Sequence, residues 1–180
     1  MPHIVIIPGT NRAGAVSLTL ANLIAADYTA LGCSVDLLAL ELGPEFLAPT
    51  AYKQPTPGIT TLVGRFLVAD GVVFVIPEYN GSYPGVLKLF TDMLPYPQGF
   101  DRRPCAFVGI GAGQFQGLRA VEHFQGVAGY RNAHMYPNRV FLGAGKELFT
   151  DGRLSDAKLA ERLKAQATGF VKFAGAVKGS

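Results

Sequence analysis

The sequence has no tryptophan, only two cysteines and three histidines, and charged residues make up only 16% of its 180 positions. Few charges and a 49% apolar fraction exclude a disordered tail protein or a coiled coil and leave material for one sizeable core. Cys33 and Cys105 form no C-x-x-C pair, so a disulfide or a thiol-ligated metal is not expected. His3, His123 and His134 belong to no metal-binding spacing, and no metal site is expected. Long hydrophobic runs are missing too. The N-terminal run Ile4 to Ile7 is shorter than the apolar stretch of a signal peptide, about 7–15 residues, so a cytoplasmic address and no membrane partner are expected. The net charge is only +3 and the basic residues are scattered, the longest run being Arg102-Arg103, which argues against a nucleic-acid partner.

What is present is glycine, 22 residues without a collagen period, and an alternation of strand and helix signals. Ile4–Ile7, Gly71–Ile76 and Cys105–Ile110 are continuous apolar runs, as central strands of a parallel sheet covered on both faces require. Val35–Leu40 is mixed and Val140–Leu142 short, which suits sheet edges. This pattern predicts one α/β domain over residues 1–180, a five-stranded doubly wound parallel sheet in the order 2-1-3-4-5. Helical spacing is carried by Leu20, Leu23, Ile24, Tyr28 and Leu31, and by Ile59, Leu62, Val63, Phe66 and Leu67. Further helices are expected from Pro84 to about Leu94, from about Phe115 to Val127, and from an N-cap at Ser155 to about Val177. Pro44 to Gly58 reads as a long proline-rich loop.

In such a sheet, ligands bind beyond the carboxyl ends of the strands, where the strand order reverses. The loop after the first strand, Pro8-Gly9-Thr10-Asn11-Arg12-Ala13-Gly14-Ala15-Val16-Ser17, opens a helix. Free N–H groups there, with Thr10, Asn11, Ser17 and the Arg12 guanidinium, suit an anion such as phosphate. Ser17 reads equally well as an ordinary N-cap. The loop after the third strand, Pro77-Glu78-Tyr79-Asn80-Gly81-Ser82-Tyr83-Pro84-Gly85, combines aromatic faces, backbone donors and glycine, as a flat hydrogen-bonding heterocycle requires. After the fourth strand, Gly111-Ala112-Gly113-Gln114-Phe115-Gln116-Gly117 again permits close backbone approach. Neither standard nucleotide fingerprint fits. Gly145-Lys146 is preceded by Val140 and followed by Glu147, and Gly109-x-Gly111 lacks a third glycine at 114.

These segments resemble the NADPH-dependent FMN reductase family, flavodoxin-like proteins that include quinone, azo-dye and chromate reductases. The family's G-S-x-R phosphate loop is matched by Gly9-Thr10-Asn11-Arg12, and its P-E-Y-N-x-S-x-P-G-x-L-K-N-x-x-D loop by residues Pro77 to Asp92. Thr10 keeps the usual hydroxyl, and Ala15 stands where the family often has serine, with Ser17 able to compensate. Leu89 replaces a common asparagine, and Gly109 and Gly111 stand where serines are frequent.

The resemblance implies an FMN-dependent oxidoreductase that passes hydride from NADPH or NADH to a quinone, azo compound, metal ion or free flavin. It implies FMN phosphate on Gly9, Thr10, Asn11, Arg12 and Ser17, and the ring against Pro77, Glu78, Tyr79, Asn80, Gly81 and Ser82, with Gly111 and Gly113 nearby. Backbone N–H groups near Asn80 and Gly81 would face the pyrimidine edge, and the flavin would leave no obligatory side-chain acid or base. A homodimer or homotetramer is also implied, through the helix after Pro84 and the one near Phe115–Val127. The alternatives are a flavodoxin-like electron carrier, which the charge of +3 disfavours because such carriers are strongly acidic, and a non-catalytic flavin-binding redox regulator.

Overall fold

The computed structural model describes residues 1–145 and 147–178, so Lys146 of the rejected phosphate-loop fragment and the last two positions of the 1–180 span lie outside the described residues. Strands β1 (His3–Pro8), β3 (Gly71–Pro77) and β4 (Pro104–Gly111) form the centre of a parallel sheet, and every residue of β3 and β4 is buried. Strand β2 (Ser34–Leu37) flanks β1 and is only half-buried, as an edge strand with Asp36 in it should be. The order β2-β1-β3-β4 agrees with the order expected from the apolar runs.

Alternate side chains of the strands feed two cores. Ile4, Ile6, Val73, Val75 and Val108 point to one face, covered by helices α1 (Val16–Ala30) and α5 (Ala157–Val177). Val5, Ile7, Val72, Phe74 and Phe107 point to the other, covered by α2 (Pro57–Leu67), α3 (Gly85–Met93) and α4 (Leu118–Tyr130). This second core is aromatic. Phe74 stacks on Phe100 and Phe107, with ring centroids 6.1 and 5.9 Å apart, and meets Phe124 at 4.8 Å. Both cysteines are free and buried, and burial pushes the Cys105 thiol up to about 12. Among the described residues, no helix is long and apolar enough to cross a membrane.

The fifth strand differs from expectation. It comes as two pieces, β5 (His134–Met135) and β6 (Val140–Gly143), both parallel to β4, so the sheet counts six strands. Cys105 pairs with Met135 and Val108 with Val140, so residues 136–139 face only Ala106 and Phe107. Pro137, without an N–H, cannot continue the ladder there. Gln166 of α5, 1% exposed, repairs the gap by donating from Nε2 to the carbonyls of Phe107 (3.0 Å) and Asn138 (2.7 Å). A small hairpin, β7 (Phe149–Thr150) with β8 (Arg153–Leu154), follows and was not expected.

Helix starts shift by a few residues. The N-cap of α5 is Asp156, whose Oδ1 accepts from the N–H groups of Lys158 (2.8 Å) and Leu159 (3.4 Å), in place of Ser155. Pro84 is the N-cap of α3, and α4 begins at Leu118, with Phe115 left in the preceding turn. The proline-rich segment is partly ordered as a 3-10 turn, Pro44–Leu47.

Replacing Gln166 with alanine strips the buried Phe107 carbonyl of its partner. Chemical denaturation is expected to show a loss of about 1–3 kcal/mol, and an unchanged midpoint would exclude this repair. A second prediction concerns Asp36, which binds Arg65 of α2 through two oxygens at 2.6 and 2.9 Å. Those hydrogen bonds hold the carboxyl below its ordinary value, so its contribution is present above about pH 4 and lost as pH falls through the depressed folded value. The pair is partly solvent-exposed, so Asp36→Asn should cost at most about 1 kcal/mol at pH 7, and the difference from wild type should vanish in acid.

Candidate functional site

Parallel pairing of β1 with β3 sets Pro8 opposite Val75, so β3 runs only two residues beyond the end of β1. The Gly9 N–H extends the ladder by donating to the Val75 carbonyl at 2.9 Å. A Cβ on Gly9 would lie 3.2 Å from Leu87 Cδ2 and 3.4 Å from Val75 O, so glycine here lets the first loop press on its own neighbours. Thr10 is buried, and its Oγ1 accepts from the Arg12 N–H (3.2 Å) and shares a hydrogen bond with the Tyr79 hydroxyl (3.3 Å). The first and second loops are therefore tied side by side.

The chain then turns through Gly14, at φ +66°, into α1. The N-cap of α1 is Ala15, which has no side-chain acceptor, and no acidic residue stands in the first turn. Alanine is among the poorest N-caps, so this helix leaves its positive end unsatisfied. Ser17 is not the N-cap that sequence allowed. It sits inside the first turn, 1% exposed, and its Oγ has no hydrogen-bond partner.

The second loop makes a tight turn. Asn80 (φ +52°) and Gly81 (φ +77°) are both left-handed, and Tyr79 and Ser82 exchange backbone hydrogen bonds of 2.9 and 3.1 Å. Two central residues with positive φ are the signature of a type I′ turn, which Asn-Gly favours. The N–H groups of Tyr79 and Ser82 are consumed by this exchange, whereas those of Asn80 and Gly81 have no backbone acceptor among the described residues. Ser82 Oγ also bonds His123 Nδ1 of α4 at 3.0 Å, a contact between distant segments that no motif announces.

In the third loop, a Cβ on Gly111 would lie 2.9 Å from the Gly117 nitrogen and 3.3 Å from Glu78 Cβ. Gly109 is blocked by Phe141, and Gly117, at φ +90°, packs against Gly109 and Ile110. These glycines serve close packing of the loop on its own strand, while Gly113 has open space around it.

The three loops enclose a cleft of about 540 Å³ at the carboxyl end of the sheet, within the range of about 300–1,000 Å³ usual for small-molecule sites. Of the expected site residues, Arg12, Ser17, Pro77, Glu78, Tyr79 and Gly111 line it. Gly9 and Thr10 lie beneath the loop, the Asn80–Gly81–Ser82 turn follows the wall residue Tyr79, and Gly113 stands clear. Asn11 faces a separate groove with Leu42, Leu47 and Val86. Sequence reasoning missed Ala13, Ala15, Val16, Ile110, Ala112 and Ala144 as wall residues. They carry no reactive group. Ala144, at the end of the split fifth strand, could be found only from the sheet order. Another cleft, of about 420 Å³, lies at the opposite end beside Asp70 and Arg103. Its charges are already engaged: Asp70 with Lys178 (2.7 Å) and the His3 N–H (2.8 Å), Arg103 with the Gly99 and Ala69 carbonyls.

Residues 2–147 match the family model for NADPH-dependent FMN reductases. The chain belongs to that family. A quinone reductase of Escherichia coli is 30% identical over 141 residues, 75% of each chain. An NAD(P)H-dependent FMN reductase of Pseudomonas aeruginosa is 29% identical over 139 residues, again 75% of each. Among solved structures, FerB, an NAD(P)H:(acceptor) oxidoreductase flavoenzyme of Paracoccus denitrificans, superposes with a TM-score of 0.84 at 20% identity, over 97% of this chain and 98% of its own. That likeness bears on the fold.

The family uses FMN, with NAD(P)H as electron donor. The residues of this FMN reductase fit an FMN on independent grounds: an uncapped helix start, a buried Ser17 hydroxyl without a partner and a cleft of suitable volume beside it. Installing a cap inside the protein should compete with the anion. Ala15→Asp is therefore expected to raise the melting temperature of the FMN-free protein, by about 0.5–2 kcal/mol of added stability, and to weaken FMN binding at least about tenfold. Tighter or unchanged FMN binding in that variant would place the anion elsewhere.

Proposed function

We propose that the chain is a cytoplasmic NAD(P)H:quinone reductase that works through FMN held in the cleft between the first and third strand ends. The observation that carries the reading is the junction itself. An uncapped helix start with Arg12 and Ser17 lies at one end, and the Tyr79–Ser82 turn, tied to it by Thr10 and Tyr79, lies at the other. Bound FMN supplies the hydride and electron chemistry.

The protein's part is to bind, orient and polarise. The α1 N-terminus and the Arg12 guanidinium neutralise the phosphate, and Ser17 donates its unpartnered hydroxyl to it. Pro77 and Tyr79 form an apolar and aromatic wall for the ring. The free N–H groups of Asn80 and Gly81 stabilise negative charge at the ring's polar edge, as fixed backbone dipoles need no reorganisation. No cleft side chain is required as an acid or base. The quinone substrate is supported by the reductases to which the chain is similar, one acting on quinones by name and another named for 2-hydroxy-1,4-benzoquinone. A second copy of the chain is the macromolecular partner in this reading, meeting it through α3 and α4, which expose Tyr130 and part of Leu89.

Purified protein given FMN is expected to absorb near about 450 nm and to oxidise NADPH or NADH when a quinone is added. Arg12→Ala should weaken FMN binding about tenfold, the worth of a charge-assisted hydrogen bond, without lowering the stability of the FMN-free fold. Failure to bind added FMN would end the reading. Bound FMN without quinone turnover would favour a one-electron carrier.

A further inference from the structure

The Tyr79–Ser82 turn has little packing of its own. Asn80 is exposed, and Tyr79, Gly81 and Ser82 are only half-buried. Asn80, at φ +52°, is also a non-glycine residue in the left-handed region, which most side chains avoid. Yet the two central residues carry the N–H groups that have no backbone acceptor among the described residues. Donors held in place stabilise a developing charge without reorganising, and donors that sway lose that advantage. A turn of this kind works only if its two ends are held from outside.

Both ends are held by side chains. At the first, the Tyr79 hydroxyl shares a hydrogen bond with Thr10 Oγ1 at 3.3 Å. At the second, Ser82 Oγ meets Nδ1 of His123 on α4 at 3.0 Å, across 41 positions of sequence. A hydroxyl both donates and accepts, and an imidazole nitrogen does either according to tautomer, so this bond survives a change of tautomer. The next residues repeat the contact between the same segments. Tyr83 meets Phe124 edge-on, with ring centroids 5.3 Å apart. Phe124 is fully buried and lies 4.8 Å from Phe74, so α4 carries the rigidity of the aromatic core to this end of the turn. His123 is exposed and forms no ion pair among the described residues. An exposed hydrogen bond of this kind adds little to the stability of the fold.

We propose that His123 is a positioning residue for electron transfer: through Ser82 it holds the Asn80 and Gly81 N–H groups in place, and so sets how strongly the site favours reduced, negatively charged flavin over oxidised flavin. This rests on the flavin reading above. His123 acts without touching the flavin. The Thr10–Tyr79 contact ties one end of the turn to the first loop, and the Ser82–His123 contact ties the other to α4. With the second tie cut, the turn stays anchored at Tyr79 and sways at Ser82, and the donors must be ordered each time charge develops on the ring.

The test is the midpoint potential and dissociation constant of bound FMN in wild type, His123→Ala, Ser82→Ala, the double variant and His123→Asn, with the melting temperature of each flavin-free protein. His123→Ala is expected to weaken reduced FMN about threefold to tenfold more than oxidised FMN, which lowers a two-electron midpoint by about 15–30 mV. The double variant should fall no lower than Ser82→Ala, because losing either partner already breaks the bond. His123→Asn, whose side-chain amide reaches about where Nδ1 stood, should restore the wild-type midpoint. Flavin-free His123→Ala should melt within about 2 °C of wild type. Equal weakening of both redox forms would make His123 a merely structural contact and overturn the proposal. Additive losses in the double variant would place its action somewhere other than Ser82 and do the same, as would His123→Asn behaving like His123→Ala. Bound FMN with an unchanged midpoint in His123→Ala would remove the tie and leave the flavin site standing. Wild-type protein that binds no FMN would remove both.

Discussion

The molecule depends on the parallel pairing of β1 with β3. Their register brings the two strand ends within two residues of each other, and the Gly9–Val75 backbone bond carries the pairing one residue into the loop. The Thr10–Tyr79 contact then fixes the loops to each other. Because the connections run to opposite faces of the sheet, α1 on one and α3 on the other, nothing fills the space between them. A cleft at this place is a consequence of winding direction, and its chemistry is what the two loop sequences put into it.

That cleft is underwritten by the rest of the fold. An uncapped helix, an unpaired hydroxyl and an unpaired carboxylate are each destabilising in the absence of a ligand. They are tolerated because β3 and β4 are wholly buried and Phe74, Phe100, Phe107 and Phe124 interlock behind them. Elsewhere, guanidiniums tie loops down: Arg103 donates to the Gly99 and Ala69 carbonyls, and Arg131 to those of Thr91, Leu94 and Pro95, although its Nε has no partner. Among the described residues, two buried side-chain atoms without a partner, Ser17 Oγ and Glu78 Oε2, belong to residues that line the cleft, and three others, Tyr28 Oη, Arg131 Nε and His134 Nε2, lie elsewhere.

The sheet order was legible because burial writes itself directly into composition. Strands enclosed on both faces are apolar throughout, as in Gly71–Pro77, and strand β2 betrays its edge by Asp36. The break in the fifth strand was not legible in the same way. Pro137 hints at it, but its repair by Gln166 joins residues far apart in sequence, and a glutamine on a helix looks like any solvated residue. At the site, residue types with charge or hydroxyls were found, and small wall residues such as Ala112 and Ala144 were not. Gly9 and Gly111 were read as positions of close backbone approach, and in the structure it is neighbouring protein that approaches them. Sequence marks where a side chain is forbidden, but not what forbids it.

Charge along the cleft is segregated, with Arg12 and the positive end of α1 on one loop and Glu78 on another. Arg12 and the uncapped start of α1 line the cleft together with Glu78, which stands beside Pro77 and Tyr79. In the proposed reading a flavin phosphate would sit at the start of α1 and Arg12, with Pro77 and Tyr79 as the wall for the ring. The ring would then lie at the Asn80–Gly81 turn, whose N–H groups have no backbone acceptor among the described residues. The backbone of Glu78 is held by its N–H bond to the Ile110 carbonyl, and the absence of a side chain at Gly111 leaves room for its Cβ, so the wall of the cleft is set by the neighbouring strand β4.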